Sequence, residues 1–298
     1  MEQANKHKAA VHVAGAGKQY GSFWALKNCD STIPAGSICA LVGPNGAGKT
    51  TLLKLLTGLN QSATGSVMVL GRTPGQQPDY LADIGYLAQE VPLYRHMTAA
   101  EHIAMGAHLN QRWDGNSAAK RLTKAGIPLN KAVGKLSGGQ RAQVGLAMAL
   151  AKKPRLLLLD EPVAALDPLA RVEFLTSLTE AAADADGELT VVMSSHLLSD
   201  LERVCDFVVI LASGKTQLSD EIEQVLQTHK LLSGPRGAHT ANPAYTIIKE
   251  SHSASQTNLL VRLNGTAFRD ATWQVREPDI EEIVLAYMAQ PTIEGGAQ

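Results

Sequence analysis

The sequence predicts an α/β fold with a parallel sheet, and three stretches carry this prediction. Residues 37–42, SICALV, form the apolar run of a buried strand, and residues 50–59, TTLLKLLTGL, have the pattern of a helix, with a glycine loop between them. Residues 156–159 are four leucines followed by two acids, which indicates a central parallel strand. The 298 residues suffice for one large domain and an appendage.

The glycine loop at residues 43–51, GPNGAGKTT, meets every condition of the pattern G-x-x-x-x-G-K-[ST]. Its backbone amides and the following helix N-terminus converge on one anion, and its lysine neutralises phosphate charge. A second GAGK, at residues 15–18, has His12 in place of the opening glycine and Gln19 in place of the hydroxyl. We therefore predict that the loop at 43–51 binds phosphate and that residues 15–18 do not.

Composition excludes several classes of function. The formal net charge is -1 and no basic run occurs, which argues against bulk electrostatic binding to nucleic acid. Cys29, Cys39 and Cys205 are far apart, which indicates buried thiols in a reduced compartment. Residues 1–13 lack the apolar run of a signal peptide, and no stretch reaches the ~18 apolar residues that span a bilayer. We expect a soluble cytoplasmic protein with no nucleic-acid partner.

Two acids follow the leucine strand, at the edge where open α/β sheets bind their ligands. The phosphate loop alone leaves kinases, GTPases and many ATPases open, and these acids are the next diagnostic residues. Asp160 is suited to hold magnesium through its water shell, together with the Thr50 hydroxyl. Glu161 is suited to orient and polarise an attacking water.

A second glycine-rich helix start lies at residues 136–143, LSGGQRAQ, with Ser137 23 residues before Asp160. From Val144 to Ala151, apolar residues follow the i, i+3, i+4, i+7 spacing of one helical face. The serine and glycine amides at this helix start can bind an anion. Because the phosphate loop already supplies its own donors, this second terminus suggests a nucleotide held by another copy of the chain.

With these motifs the sequence resembles the ATP-binding cassette (ABC) ATPases, whose signature is LSGGQ and whose Walker A motif is the phosphate loop. The resemblance runs from about Val11 to about Asp220. It implies a P-loop NTPase fold with a RecA-like parallel-sheet core, an antiparallel β subdomain and a helical signature subdomain. We expect the ABC ATPase domain at residues 1–222, with a helical insertion at about 90–150 that includes a capping box at 98–109.

The resemblance also implies a head-to-tail dimer with two ATP molecules, each between the phosphate loop of one subunit and the signature of the other. Gln89 is similar to the glutamine that contacts magnesium and the attacking water, and His196 to the switch histidine that reaches the γ-phosphate. Asp167 matches the acid of the loop that crosses the interface. Tyr20 matches the aromatic residue that stacks on adenine, with Trp24 as the second candidate.

The expected site residues fall into three groups. Those expected to be catalytic are Glu161, His196 and Gln89. Those expected to hold Mg²⁺ are Thr50, Gln89 and Asp160. Those expected to bind ATP are Tyr20, Gly43, Pro44, Asn45, Gly46, Ala47, Gly48, Lys49, Thr50, Thr51, Ser137, Gly138, Gly139, Gln140 and Asp167. The chain departs from the family at Ala164-Ala165, where the crossing loop usually carries a serine.

The resemblance implies an ATP-hydrolysing subunit of an ABC transporter, attached to the inner face of the cell membrane through a separate multi-span permease. Tyr94, His96 and Met97 are candidate contacts for that permease, with ordinary core packing as the alternative. The cassettes pair as a homodimer or with a related second cassette. The alternative is a soluble, non-transport ABC ATPase that acts in translation or DNA repair.

Residues 223–298 are expected to form a small α/β extension. Its predicted parts are turn-rich stretches at 229–239 and 240–245, strands at 245–250 and 258–263, and an amphipathic helix at 279–289. This tail resembles the C-terminal extensions of bacterial cassettes that pair with permeases of the ABC-2 exporter type. The resemblance favours export over import.

Overall fold

The structure is a computed structural model that describes residues 9–77, 79–196, 203–236, 243–265 and 272–289. Within these ranges the strands are β1 (Ala9–Tyr20), β2 (Phe23–Pro34), β3 (Ile38–Val42), β4 (Thr64–Val69), β5 (Ile84–Leu87), β6 (Leu156–Leu159), β7 (Thr190–Ser195), β8 (Phe207–Ala212), β9 (Lys215–Glu221), β10 (His229–Pro235), β11 (Tyr245–His252), β12 (Gln256–Leu263) and β13 (Gln274–Arg276). The α-helices are α1 (Lys49–Leu56), α2 (Ala99–Leu109), α3 (Gly115–Lys124), α4 (Gly138–Ala151), α5 (Pro168–Asp184), α6 (Ile222–Thr228) and α7 (Ile280–Met288). No helix in the described ranges is long and apolar enough to cross a lipid bilayer.

A six-stranded sheet forms the centre of the molecule, in the order β5-β6-β7-β3-β8-β9. Its first five strands run parallel, and β9 pairs with β8 in the antiparallel sense. Strands β6, β7 and β8 are buried along their whole length, as expected of parallel strands that are covered on both faces. The parallel-sheet core predicted from the sequence is confirmed.

The two faces of this sheet pack into different hydrophobic cores, because successive side chains of a strand point to opposite faces. In β6, Leu156 and Leu158 join a core with residues of α1 and the β1–β2–β4 strands. Leu157 and Leu159 join a second core with residues of α4, α5 and α7. The run of four leucines thus supplies apolar contacts on both sides of the sheet.

A three-stranded antiparallel sheet, in the order β2-β1-β4, corresponds to the implied antiparallel β subdomain. The first GAGK stretch lies inside β1 and makes strand contacts instead of a phosphate loop. The Gly15 N–H donates to Asp30 Oδ1 at 2.8 Å, and Lys18 Nζ donates to the Gln61 carbonyl at 3.0 Å. The first GAGK copy is therefore part of a strand, and the second copy is the one that leads into a helix N-terminus.

Helix α1 is shorter than its apolar pattern predicts, since it ends at Leu56 instead of Leu59. Gly58 has a φ of +76°, a left-handed conformation that ends helices and favours glycine. A Cβ atom at Gly58 would lie 2.7 Å from the Gly75 backbone nitrogen. The close approach of these two backbones therefore ends the helix three residues before Leu59, the last leucine of the stretch.

Helices α2, α3 and α4 form the predicted helical insertion around a separate small core. Thr98 Oγ1 accepts from the Glu101 N–H at 3.1 Å, and Glu101 Oε2 accepts from the Thr98 N–H at 2.7 Å. The capping box predicted at residues 98–109 is confirmed. The core includes Val144, Ala147 and Ala151 of α4, which confirms the helical face predicted for this segment.

The C-terminal residues contain a four-stranded antiparallel sheet in the order β11-β12-β10-β13. The two predicted strands are confirmed as β11 and β12, and the predicted helix is confirmed as α7. The turn-rich interpretation of residues 229–239 is wrong for residues 229–235, which form β10. Every residue of β10 pairs with β12. This pairing with a distant segment stabilises the strand, although glycine and proline disfavour strand structure.

Helix α7 contributes to the core on one face of the central sheet, where Ile283 and Val284 pack with residues of β8. A fully buried histidine lies at this junction. His229 Nδ1–H donates to the Val225 carbonyl at 2.7 Å, and His229 Nε2 accepts from the Tyr287 hydroxyl at 2.9 Å. Burial lowers the pKa of His229, and the Val225 hydrogen bond opposes this shift.

Stability is expected to decrease as the pH falls below about 6.5, the usual pKa of histidine. The pKa of His229 is lowered by burial and by the Arg262 and Lys230 charges, while Asp220 raises it. As the pH falls, the unfolded chain therefore takes up the proton first. At pH 5.5 this lowers the free energy of unfolding by up to about 1.4 kcal/mol. Urea unfolding of wild type and His229→Gln at pH 7.5 and 5.5 measures this. An equal pH-dependent loss in both proteins would contradict the prediction.

Candidate nucleotide site

The loop between β3 and α1 has a shape that its glycines make possible. Gly48, the residue before α1, has a φ of +103°, and a Cβ atom there would lie 2.7 Å from the Ala25 carbonyl oxygen. A Cβ atom at Gly43 would lie 2.3 Å from the Leu211 carbonyl oxygen. Because Gly43 and Gly48 exclude larger residues, the loop turns sharply and directs the first amides of α1 toward one point. The helix dipole favours an anion at that point.

Lys49, the first residue of α1, is almost completely buried, with 7% of its surface exposed. Its ammonium group donates to the Gly43 carbonyl at 2.7 Å and to the Pro44 carbonyl at 3.3 Å. It also forms an ion pair with Glu161 Oε1 at 3.2 Å. The loop therefore holds a positive charge inside its own turn, and the carbonyl contacts fix the position of that charge.

Asp160 directly follows β6 and is almost completely buried. Its Oδ1 atom accepts from Thr50 Oγ1 at 3.0 Å and from Ser194 Oγ at 2.9 Å. Its backbone N–H donates to the Leu87 carbonyl at 2.9 Å, which ties it to β5. The structure thus brings the predicted metal-binding acid next to the predicted metal-binding hydroxyl of the phosphate loop.

Glu161 lies beside this pair, and both of its carboxylate oxygens have partners. Oε1 pairs with Lys49, and Oε2 accepts from His196 Nδ1–H at 2.7 Å. The residue has a φ of +48°, which is uncommon for a residue other than glycine. Lys49, Glu161 and His196 are therefore adjacent, as their predicted roles around one phosphate group require.

Gln89 lies two residues beyond Leu87, the last residue of β5, and its side chain is exposed. Because β5 and β6 are parallel neighbours, Gln89 and Asp160 follow the same edge of the sheet. The amide of Gln89 is therefore available to a ligand at the carboxyl ends of the strands.

Tyr20, at the end of β1, is 47% exposed. Its hydroxyl accepts from Asn60 Nδ2 at 2.7 Å, and the Lys18 ammonium lies 5.4 Å from the ring centroid. These contacts hold the ring at the surface with its face partly open. Trp24, the second candidate, is partly buried, and a Cβ atom at Gly17 would lie 2.8 Å from its ring. Tyr20 is thus better placed than Trp24 to stack on a base.

The LSGGQ stretch begins α4 on the helical insertion. Ser137 Oγ accepts from the Gln140 N–H at 3.2 Å, and Gln140 Oε1 accepts from the Ser137 N–H at 3.1 Å. A serine hydroxyl that accepts this bond still has its own proton to donate. Ser137 and Gly138 are exposed, and no heavy atom lies within 4 Å of a Cβ built at Gly138. The helix start is therefore open to an outside ligand.

Asp167 caps α5, where its Oδ1 accepts from the Ala170 N–H at 3.0 Å. A Cβ atom at Gly139 would lie 2.6 Å from Ala170 Cβ, so the starts of α4 and α5 are in contact. The structure thus groups Asp167 with the LSGGQ residues. The contacts of Lys49 belong instead to the cluster with Asp160 and Glu161.

Tyr94, His96 and Met97 lie between β5 and α2, on the connection into the helical insertion. Tyr94 is 56% exposed, and its backbone N–H donates to His102 Nε2 at 3.0 Å. The rings of Tyr94 and His96 lie 6.2 Å apart, in a tilted arrangement. This short segment therefore offers aromatic surface to a partner while one buried histidine holds its backbone.

Comparison with known proteins gives the same assignment as the motifs. Residues 26–164 match the family described as ABC transporter. An uncharacterized ABC transporter ATP-binding protein of Bacillus subtilis, YxlF, is 37% identical over 219 residues, which are 70% of each chain. This chain belongs to the ABC transporter ATP-binding proteins. The resemblance found in the motifs is confirmed, and the ABC-2 exporter subtype is not.

Other relatives of the cassette agree with this assignment. The sulfate/thiosulfate import ATP-binding protein CysA of Synechococcus elongatus is 35% identical over 221 residues, or 71% of this chain. This chain spans 63% of the length of that relative, which is less than two thirds. The dimeric, post-hydrolysis structure of the ATP-binding cassette MJ0796 bound to ADP and Pi has a TM-score of 0.62 and 26% identity. That match covers 71% of this chain and 98% of the other, and it confirms the predicted cassette fold.

The donor set of the cassette fits Mg²⁺, which prefers oxygen ligands and is held by one or two carboxylates plus substrate phosphates. Thr50 Oγ1 and Asp160 Oδ1 supply a hydroxyl and a carboxylate 3.0 Å apart. Among the described residues, no group of three His, Cys, Asp or Glu side chains could hold a metal. The phosphates of a nucleotide would therefore have to complete the coordination, which is the usual arrangement for this ion.

Ser194 contacts the site residues Asp160 and Glu161 and was not predicted from the sequence. It lies in β7, two residues before His196, and its hydroxyl contacts both Asp160 and the backbone of Glu161. The signal was a pair of serines at the end of the apolar run VVM, in a strand that ends at the phosphate-loop edge of the sheet. A polar side chain in a buried strand needs a hydrogen-bond partner, so the sequence could have predicted that Ser194 contacts another polar group.

Proposed function

We propose that this cassette binds and hydrolyses ATP with magnesium and thereby powers transport through a separate membrane protein. One observation carries the proposal: Lys49, Thr50, Asp160, Glu161 and His196 form one contact network at the end of the phosphate loop. A charged loop, a metal-binding acid and a second acid are the parts that nucleotide hydrolysis requires.

The residues take complementary roles in this proposal. The loop amides and Lys49 bind the phosphates, and Tyr20 stacks on adenine. Thr50, Asp160 and Gln89 hold Mg²⁺, which when bound neutralises charge on the phosphate oxygens. Glu161 orients and polarises the attacking water. The remaining loop residues that surround the phosphates are Gly43, Pro44, Asn45, Gly46, Ala47, Gly48 and Thr51.

His196 contacts the γ-phosphate in this proposal and holds Glu161 in place through its Nδ1–H. The hydrogen bond of 2.7 Å that it donates to Glu161 Oε2 fixes the tautomer, since an ionised carboxylate can only accept. Because phosphate oxygens only accept hydrogen bonds, a contact from Nε2 to the γ-phosphate requires the doubly protonated ring, in which both nitrogens donate. Glu161 is therefore oriented from one side by His196 and from the other by Lys49.

Two cassettes are proposed to pair head to tail around two ATP molecules. Ser137, Gly138, Gly139 and Gln140 of one copy, with Asp167, face the nucleotide of the other. The exposed start of α4 and its contact with α5 support this arrangement, because one surface then presents all five residues. The dimeric MJ0796 cassette shows that a related chain assembles in pairs. The pair here is a homodimer or contains a related second cassette.

The transport role rests on the relatives, whose names are those of transporter subunits. These names do not favour the alternative, a soluble ABC ATPase of translation or DNA repair. The named direction among them is import, so the export expected from the C-terminal resemblance has no support there. We place the cassette on the inner face of the membrane, with Tyr94, His96 and Met97 against the permease and no nucleic-acid partner.

The proposed division of the chain puts the ATPase domain at 1–222 and the extension at 223–298. The end of β9 at Glu221 supports this boundary, since the separate four-stranded sheet lies beyond it. The apolar residues of α7 join the core of the ATPase domain, so the extension is proposed to be a docked lobe.

Purification of the chain from detergent-solubilised membranes tests the transport role. We expect a multi-span membrane protein to be recovered with it and ATPase activity that requires Mg²⁺. The identity of that protein also reports the direction of transport. Recovery of ribosomes or DNA-repair factors instead would overturn the transport role. The ATPase assignment would then be tested by the hydrolysis assay alone.

A further inference from the structure

One hydroxyl connects the two consecutive acids of the site. Ser194 is completely buried, with 0% of its surface exposed. Its Oγ donates to Asp160 Oδ1 at 2.9 Å and accepts from the Glu161 N–H at 2.9 Å. The donor and acceptor capacities of this side chain are thus directed to the side chain of one acid and the backbone of the next.

The contact with Glu161 fixes a backbone conformation that is uncommon. Glu161 has a φ of +48°, and such residues persist only where the surrounding structure holds them. The hydrogen bond from its N–H to Ser194 is a direct restraint on this turn. This backbone conformation sets the direction of the Glu161 carboxylate, which contacts Lys49 and His196.

The contact with Asp160 is one of two hydroxyl contacts to the same oxygen. The other comes from Thr50, whose hydroxyl is also the proposed magnesium ligand. A hydroxyl that donates its proton keeps its lone pairs, so Thr50 could hold the ion and still donate to Asp160. Ser194 lies inside the sheet and is not a proposed ligand, so its bond to Asp160 does not compete with the ion.

We propose that Ser194 is a positioning residue that orients Asp160 toward magnesium and holds Glu161 in its left-handed turn. The inference rests on the proposed function of the site. Partners of metal ligands typically change metal affinity or activity by about 10- to 100-fold when they are removed. The two roles predict two separable effects, one on the magnesium dependence of ATP binding and one on kcat.

The test compares Ser194→Ala with Ser194→Thr, which keeps the hydroxyl. Affinity for a fluorescent ATP analogue is measured with Mg²⁺ and with EDTA. In Ser194→Ala we expect the affinity gain from Mg²⁺ to fall by about tenfold and the affinity in EDTA to stay unchanged. We also expect kcat for ATP hydrolysis to fall by about 10- to 100-fold, and Ser194→Thr to recover most of both losses.

The outcomes separate this inference from the proposed function. If wild type shows neither MgATP binding nor hydrolysis, the proposed function fails. If wild type shows both and Ser194→Ala keeps the wild-type gain from Mg²⁺, only the role of Ser194 is overturned. Equal losses with Mg²⁺ and with EDTA would indicate a merely structural role and also overturn it. Should Ser194→Ala not fold, Ser194→Cys, which has a weaker donor of similar size, replaces it in the same comparison.

Discussion

Glu161→Gln is expected to slow ATP hydrolysis by about 10²- to 10⁴-fold, the effect of losing a positioned base. The amide keeps the shape of the side chain and can still accept from His196 Nδ1–H, so the fold and the nucleotide site stay intact. It cannot take a proton from water. MgATP should therefore remain bound, and a nucleotide-loaded dimer should accumulate. Steady-state ATPase assays and light scattering after size exclusion measure the two effects.

Glu180→Gln is the matched control for this variant. Glu180 is a partly exposed residue of α5 that pairs with Lys124 of α3 at 2.8 Å. An exposed pair of this kind contributes little to stability, so the control should hydrolyse ATP at the wild-type rate. A Glu161→Gln protein as active as this control would remove Glu161 from the proposed mechanism.

Lys49→Ala is expected to weaken MgATP binding by about 10- to 150-fold. A hydrogen bond to a charged group contributes about 1.5–3 kcal/mol, and each 1.4 kcal/mol is a tenfold change in affinity. The variant removes one firmly held charge, since the Lys49 ammonium lies within 3.3 Å of its partners on Gly43, Pro44 and Glu161. Equilibrium titration with a fluorescent nucleotide measures the affinity directly.

Lys54→Ala, in the last turn of the same helix, is the control for the loss of one positive charge from α1. It should bind MgATP with nearly wild-type affinity, since Lys54 lies at the end of α1 away from the loop. Equal losses in the two variants would assign the effect to net charge or helix stability and would contradict a specific role for Lys49. Thermal unfolding without nucleotide separates these explanations.

Several parts of the site were predicted from short stretches of the sequence because their chemistry is local. The phosphate loop needs Gly43 and Gly48 at fixed positions, since a side chain at either would collide with neighbouring backbone. The LSGGQ helix start carries its own cap, Ser137 with Gln140. Such features depend on residues within a few positions of one another, and so the sequence pattern is sufficient to identify them.

Other features depended on residues far apart in the chain. Ser194 and Asp160 are 34 positions apart and meet only because β6 and β7 are neighbouring parallel strands. The strand at 229–235 forms because β12 supplies its hydrogen bonds, although its own residues indicate turns. The docking of α7 on the central sheet likewise follows from packing between distant segments.

The sequence by itself determined the phosphate loop, the capped helix starts and the leucine strand, since each is decided by steric limits and hydrogen bonds within a few residues. Only the tertiary structure decided which hydroxyl holds Asp160, how Glu161 is turned and where the C-terminal strands pair. The physical reason is that a buried polar atom must find a partner in space. The identity of that partner is set by strand order and packing, which no short stretch of this chain contains.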